Sequence, residues 1–207
     1  MPGFDLLGTL QFIVAILVAI TVHEASHAYS AYRLGDRTAK AMGRVTLNPI
    51  AHLDPLGTVM LLWSAISGFG FGWGKPVPVN PYNMRRIGPK TGMALTSAAG
   101  PLANLVTAGI LSLPLRLELI PSYGLAEFVL IIAMVNVFLA LFNLIPIPPL
   151  DGFSVLLGFL PNREAASLSQ MAQYGPILLL LLVFAGMRWL GPLLSSGARA
   201  IMTFYLG

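Results

Sequence analysis

Apolar positions fill this chain in long unbroken runs. Residues 6–22, 55–74, 91–115, 128–150 and 165–187 contain no Asp, Glu, Lys or Arg. A helix needs about 20 mostly apolar residues to cross a bilayer, and the pattern predicts membrane helices over about 6–34, 91–117, 125–145 and 172–190. Gly35 offers a stop for the first, while Pro146, Pro148 and Pro149 stop the third. The second run is different. Its apolar core, Leu56 to Ile66, is short and gives way to SGFGFGWG, whose alternating glycines disfavour a helix. The expectation for 55–69 is a re-entrant or partial segment, its backbone covered by other helices. In the KPVPVNP that follows, each proline drives its predecessor towards extended geometry, which predicts a short β-like edge at the cytoplasmic side. The tail GPLLSSGARAIMTFYLG is expected to lie outside or at the interface. The predicted fold class is an all-α integral membrane protein, a polytopic helix bundle forming a single domain over residues 1–207.

Composition narrows the choice further. Of 207 residues, 56% are hydrophobic and 10% charged, against about 25% charged in soluble domains. The mean hydropathy is +0.78. So few charges could not cover a soluble globule, and so apolar a chain is not disordered. The chain has no cysteine, which removes disulfides and thiolate metal sites. The net charge of +4 comes from basic residues next to apolar segments, a membrane-rim pattern and not a nucleic-acid footprint. The N-terminus lacks a basic n-region, and its apolar segment holds the most informative residues, so it does not read as a removable signal peptide.

Two of the three histidines, His23 and His27, flank Glu24 in TVHEASHAYS. The i, i+4 spacing sets both imidazoles on one helix face, where they can grip one zinc ion. Zinc lowers the pKa of a bound water to about 7, and Glu24 stands where it can take that water's proton. A solvated helix face is the bland alternative. It fits poorly here, because ionisable residues at membrane depth are costly and normally face a functional interior. Asp151 closes a 23-residue stretch free of other charges, in FNLIPIPPLDG. It could reach a metal on a neighbouring helix or cap the helix of FSVLLGFL; the histidine pair favours the metal.

Together these residues make the chain resemble the site-2 proteases, the intramembrane zinc metalloproteases. The resemblance rests on HEASH at 23–27, GPLAN at 100–104 and NLIPIPPLDG at 143–152. It implies one Zn2+ per chain held by His23, His27 and Asp151, with Glu24 as general base. It also implies a place near the active site for Asn104, which could steady the scissile carbonyl or its oxyanion or tie two helices together. The implied activity is hydrolysis of peptide bonds in or next to transmembrane segments of membrane proteins, that is, regulated intramembrane proteolysis. The implied partners are a transmembrane protein substrate and the lipid bilayer, with no nucleic acid. There is no PDZ-like insertion and no CBS pair in the sequence, so the resemblance is to the minimal branch.

This ligand set makes a demand on topology. The end of the first helix and the end of the 125–145 helix must share a side, so 55–69 can make no net crossing. Arg33, Arg37, Lys40, Arg44, Lys75, Arg85, Arg86 and Lys90, eight of the twelve basic residues, then fall on one side. The positive-inside rule makes that side cytoplasmic, with the active site towards it, in a protein of the plasma membrane. His52, beside Asp54, reads as a loop histidine at the interface in preference to a second-shell or gating residue. The competing readings are a metal transporter, which has no need of Glu24 as a base and usually shows repeated halves, and a non-catalytic membrane metal-binding protein.

Overall fold

The computed structural model describes residues 6–67 and 72–207. Among those residues the regular structure is helical, with one isolated antiparallel bridge, Leu53 to Gly74, and no strand. Helix α1 is Leu6–Arg33, followed by the single turn α2, Thr38–Ala41, and by α3, Pro55–Ser67. The long helices α4, Pro89–Arg116, and α5, Tyr123–Asn143, lead to α6, Asp151–Phe159, and α7, Asn162–Ser169. Helix α8, Gly175–Leu181, runs through a π-helical turn, Leu182–Gly186, into α9, Met187–Leu206. Among the described residues, four segments are long and apolar enough to cross a membrane: α1, α4, α5 and the helical run Asn162–Gly186.

Small residues at four-residue spacing hold α1, α4 and α5 together. On α1 the buried stripe is Ala15, Ala19, His23, His27 and Ala31. On α4 it is Gly92, Thr96, Gly100, Asn104, Ala108 and Ser112. On α5 it is Ile132, Asn136 and Ala140. Stripes along i, i+4 rows let helices interlock ridge into groove, and small residues let the backbones approach where lipid offers no hydrophobic drive. The residues with chemistry therefore occupy the closest contacts in the bundle.

Three expectations meet the structure unequally. Helix α3 has 13 residues, about 20 Å at 1.5 Å per residue, too short for a bilayer core of about 30 Å. Residues 68 and 69 of the expected re-entrant segment, and with them the GFGF of SGFGFGWG, lie outside the described residues. Residues 75–80 belong to no strand, because the prolines at 76 and 78 withhold two of the amides that a ladder would use. The C-terminal tail is no interfacial appendage. It is part of the 20-residue α9, whose Leu194, Ala198 and Met202 are buried, the latter two against Ala108, Ala133 and Val137 at mid-bundle.

The two ends of the 37–79 stretch meet at Asp36. Its fully buried carboxylate accepts from the Thr38 hydroxyl at 2.6 Å and amide at 3.1 Å, from the Asn80 amide at 2.7 Å and from Asn83 Nδ2 at 2.8 Å. Residues 36 and 80–83 therefore lie on the same side of the bundle. Burial raises the Asp36 pKa, but the donors on Thr38, Asn83 and Asn80 outweigh it and hold the group below its ordinary 3.8. The sign follows by linkage. The stabilisation is fully present above the unfolded value and is lost as pH falls through the lower folded value. Metal-free protein in detergent should be about 1–3 kcal/mol more stable than its Asp36→Asn variant near neutrality. Thermal unfolding should show that gap closing once the pH drops below the ordinary Asp range.

Candidate metal centre

The i, i+4 stripe of α1 points His23 and His27 at α4, both buried, with ring centroids 4.5 Å apart and planes at 89°. Asp151 reaches them from the start of α6. It is the first residue of that helix and not its cap, a position taken by Leu150. The turn that delivers it is tight. A Cβ on Gly152 would lie 2.1 Å from the Leu144 carbonyl oxygen, so the glycine after Asp151 is sterically required. The ligand-capable atoms of His23, His27 and Asp151 all lie within 4.8 Å of one another.

Hydrogen bonding fixes what those atoms can do. Asn104, fully buried on α4, donates from Nδ2 to the Ala19 carbonyl at 2.9 Å and to Asn136 Oδ1 at 2.7 Å. Its Oδ1 therefore faces His23 Nδ1, 2.7 Å away, and must accept a proton from it. His27 Nδ1 lies 2.7 Å from the Thr96 carbonyl oxygen, which can only accept. Both imidazoles thus carry a proton on Nδ1, so that in a neutral ring Nε2 is the lone pair. The two Nε2 atoms stand 3.0 and 3.2 Å from Asp151 Oδ2. That buried oxygen has no hydrogen-bond donor. One imidazolium proton would relieve part of this clustering of acceptors; a divalent cation would satisfy all three. Tetrahedral zinc, with bonds of about 2.0–2.2 Å, spaces its ligands about 3.3–3.6 Å apart, close to the two His–Asp separations. The residues fit the metal.

Asn104 corrects one expectation. Both its amide hydrogens are spent on Ala19 and Asn136, so none is left to steady a carbonyl or oxyanion. It orients His23 from behind, as outer partners of metal-bound histidines do. Asn136 continues the chain by donating to the Ile132 carbonyl at 2.8 Å. Its place on an apolar helix at the i+4 step from Ile132 was the signal in the sequence, and the sequence reading did not use it.

Glu24, half-buried beside His23, accepts a hydrogen bond at Oε2 from the Val77 amide at 3.1 Å. The strap of residues 72–80 thus lies across α1 at the metal centre. A Cβ on Gly74 would meet Ile20 at 2.6 Å and Glu24 at 3.7 Å. Two residues behind the strap were missed or misplaced by sequence reasoning. Arg44 is only 4% exposed and His52 fully buried, so His52 is not an interfacial loop residue. Burial lowers the Arg44 pKa from its ordinary value, against the field of Glu24.

Gly100 shows how close α4 comes. A Cβ there would lie 2.5 Å from His27 Nε2 and 2.8 Å from His23 Cε1. Overpacking costs about 1–3 kcal/mol, and here it falls on the ligands. Gly100→Ala should therefore weaken zinc binding by about tenfold or more while the helix content by circular dichroism is kept. Competition with a chromogenic chelator would measure it.

Comparison with known proteins comes to the same place. The family model described as Peptidase family M50 matches residues 118–184. "Putative zinc metalloprotease YwhC" of Bacillus subtilis is 39% identical over 203 residues, 93% of this chain and 90% of that protein. "Putative zinc metalloprotease Rip2" of Mycobacterium tuberculosis is 32% identical over 85% of this chain and 67% of its own length. The Mycolicibacterium smegmatis protein of the same name is 30% identical over 81% of this chain and 64% of its own length. No solved structure matches the chain. On these relatives and its four membrane-length helices, the chain is a multi-pass membrane protein that belongs to peptidase family M50, the site-2 protease family.

Proposed function

We propose that this protein is an intramembrane zinc metalloprotease, one domain over residues 1–207, which hydrolyses peptide bonds in or next to transmembrane segments of other membrane proteins. The observation that carries this reading is the meeting of three metal-capable donor atoms, two from His23 and His27 on the membrane-length α1 and one from Asp151 at the start of the short α6, with Glu24 alongside. The zinc-metalloprotease names of the relatives support it. Zinc bound there would supply Lewis acidity and an acidified water. Asn104 and Thr96 hold the imidazoles in the tautomer that offers Nε2 to the metal. Glu24 takes the proton from the attacking water and passes it to the leaving amine. One carboxylate oxygen, Oε2, is anchored by Val77, which leaves Oε1 for this exchange.

A transmembrane helix hides its peptide bonds, so the substrate must unwind locally before hydrolysis. In this reading 55–69 re-enters the membrane without crossing it, and the 75–80 segment acts as a β-like edge beside the cleft. The short α3 and the joining of residues 36 and 80 on one side support that. The basic loops set the site towards the cytoplasm of a plasma-membrane protein.

Purified protein should cleave a membrane-embedded reporter in a chelator-sensitive way. Glu24→Gln should keep about one zinc per chain by elemental analysis and lose activity by about 100-fold or more, within the usual worth of a general base. Zinc-loaded wild type that cuts none of a panel of reporters would overturn the reading.

Orientation has its own test, helped by the absence of native cysteine. In intact cells a membrane-impermeant maleimide should label Glu118→Cys, whereas Arg85→Cys should react only after permeabilisation. The reverse pattern would invert the topology.

A further inference from the structure

Arg44 is a cation buried at 4% exposure with no carboxylate in contact among the described residues. Taking a guanidinium out of water is costly unless its donors are used. Its two Nη groups go to the backbone of one short segment, while Nε has no partner. Nη1 donates to the Pro76 carbonyl at 3.2 Å and Nη2 to the Lys75 carbonyl. Behind it, His52 Nε2 donates to the Thr46 carbonyl at 2.8 Å, which leaves His52 Nδ1 as an acceptor facing Arg44 Nη2 at 3.5 Å. The His52 carbonyl in turn takes the Lys75 amide at 2.8 Å. Both carbonyls that Arg44 grips come just before Val77, whose amide holds Glu24.

We propose that Arg44 is a positioning residue for Glu24: its planar fork, backed by His52, clamps the carbonyls of residues 75 and 76 so that the Val77 amide fixes one oxygen of the Glu24 carboxylate and leaves the other free. This deepens the protease reading and rests on it, because it takes Glu24 as the base. Prolines 76 and 78 have no amide, so Val77 offers the single N–H at this point of the strap. The clamp must therefore set its register as well as its height. Lysine could not do the same, since one ammonium cannot present two donors in a fixed plane.

The strap reports on itself through its amides. Lys75 is bound to His52, Val77 to Glu24 and Asn80 to Asp36. Residue-resolved hydrogen exchange on the full-length zinc-loaded protein would compare wild type with Arg44→Gln. Val77 should exchange about tenfold faster in the variant, while Asn80, held separately, stays protected. Zinc should remain at about one per chain. Against the reporter, kcat should fall about 10–100-fold with KM changed less than about threefold. Arg44→Lys should fall in between.

Unchanged Val77 exchange in Arg44→Gln would overturn the proposal, and so would faster exchange with kcat intact. Loss of zinc along with activity would assign Arg44 to the fold of the metal centre and overturn it as well. Failure of the protease reading looks different. Wild type would hold zinc and cut nothing, and Val77 exchange alone would still decide whether Arg44 sets the strap.

Discussion

Two imidazole Nε2 atoms and a carboxylate oxygen converge on one point, and the bundle is arranged around keeping them there. Without enforced tautomers the nitrogens would turn protons towards the carboxylate, and the cluster would close on itself. The enforcement comes from α4, through the Asn104 side chain and the Thr96 carbonyl. Side chains this short act only if α4 lies almost against α1. That explains the glycine at 100, and the alanines at 15, 19 and 31 on the same stripe as the ligands. Close packing here serves the metal centre before it serves stability.

The polar groups that this requires are placed in a setting with little water, and most are matched. Asn104 uses its full amide, and Asn136 passes the chain on to a backbone carbonyl. Among the described residues, the buried side-chain atoms that remain without partners are Asp151 Oδ2, Thr96 Oγ1 and Arg44 Nε. None is scattered at random. The first is a candidate ligand, the second sits on the residue that orients His27, and the third belongs to the clamp on the strap. Unmet hydrogen-bonding capacity concentrates where a metal, water and an unwound peptide would have to be accommodated.

Much of this was legible in the sequence, for identifiable reasons. Uninterrupted apolar runs mark spans because lipid tolerates few charges. HEASH marks a metal pair because helical geometry converts a four-residue spacing into one face. Asp151 stands out by charge isolation, and the histidine pair favours it as a ligand over a helix cap. Other parts were not legible. Arg44 and His52 lie in a polar loop, where a basic residue reads as interfacial. Their burial depends on the strap, which arrives about thirty residues later. The direction of the Asn104 amide depends on Ala19 and Asn136, which no local pattern joins. The α9 tail reads as polar because Ser195, Ser196, Gly197 and Arg199 interrupt it, yet Leu194, Ala198 and Met202 form a stripe at i+4 that finds α4 and α5.

The centre also depends on chain outside the long helices. Its ligands and their orienting partners belong to α1, α4 and the start of α6, but Glu24 is held by Val77. The strap that carries Val77 is pinned at two separate places, by Arg44 and His52 near residue 75 and by Asp36 at residue 80. Asp36 itself closes the end of α1, nine residues beyond His27 and thirteen beyond His23. The same contacts that bring the chain back to one side of the bundle therefore set the carboxylate beside the metal site. In the proposed reading such a division separates two tasks: the helices present the candidate ligands, while the strap, pinned at both places, holds the candidate base beside them.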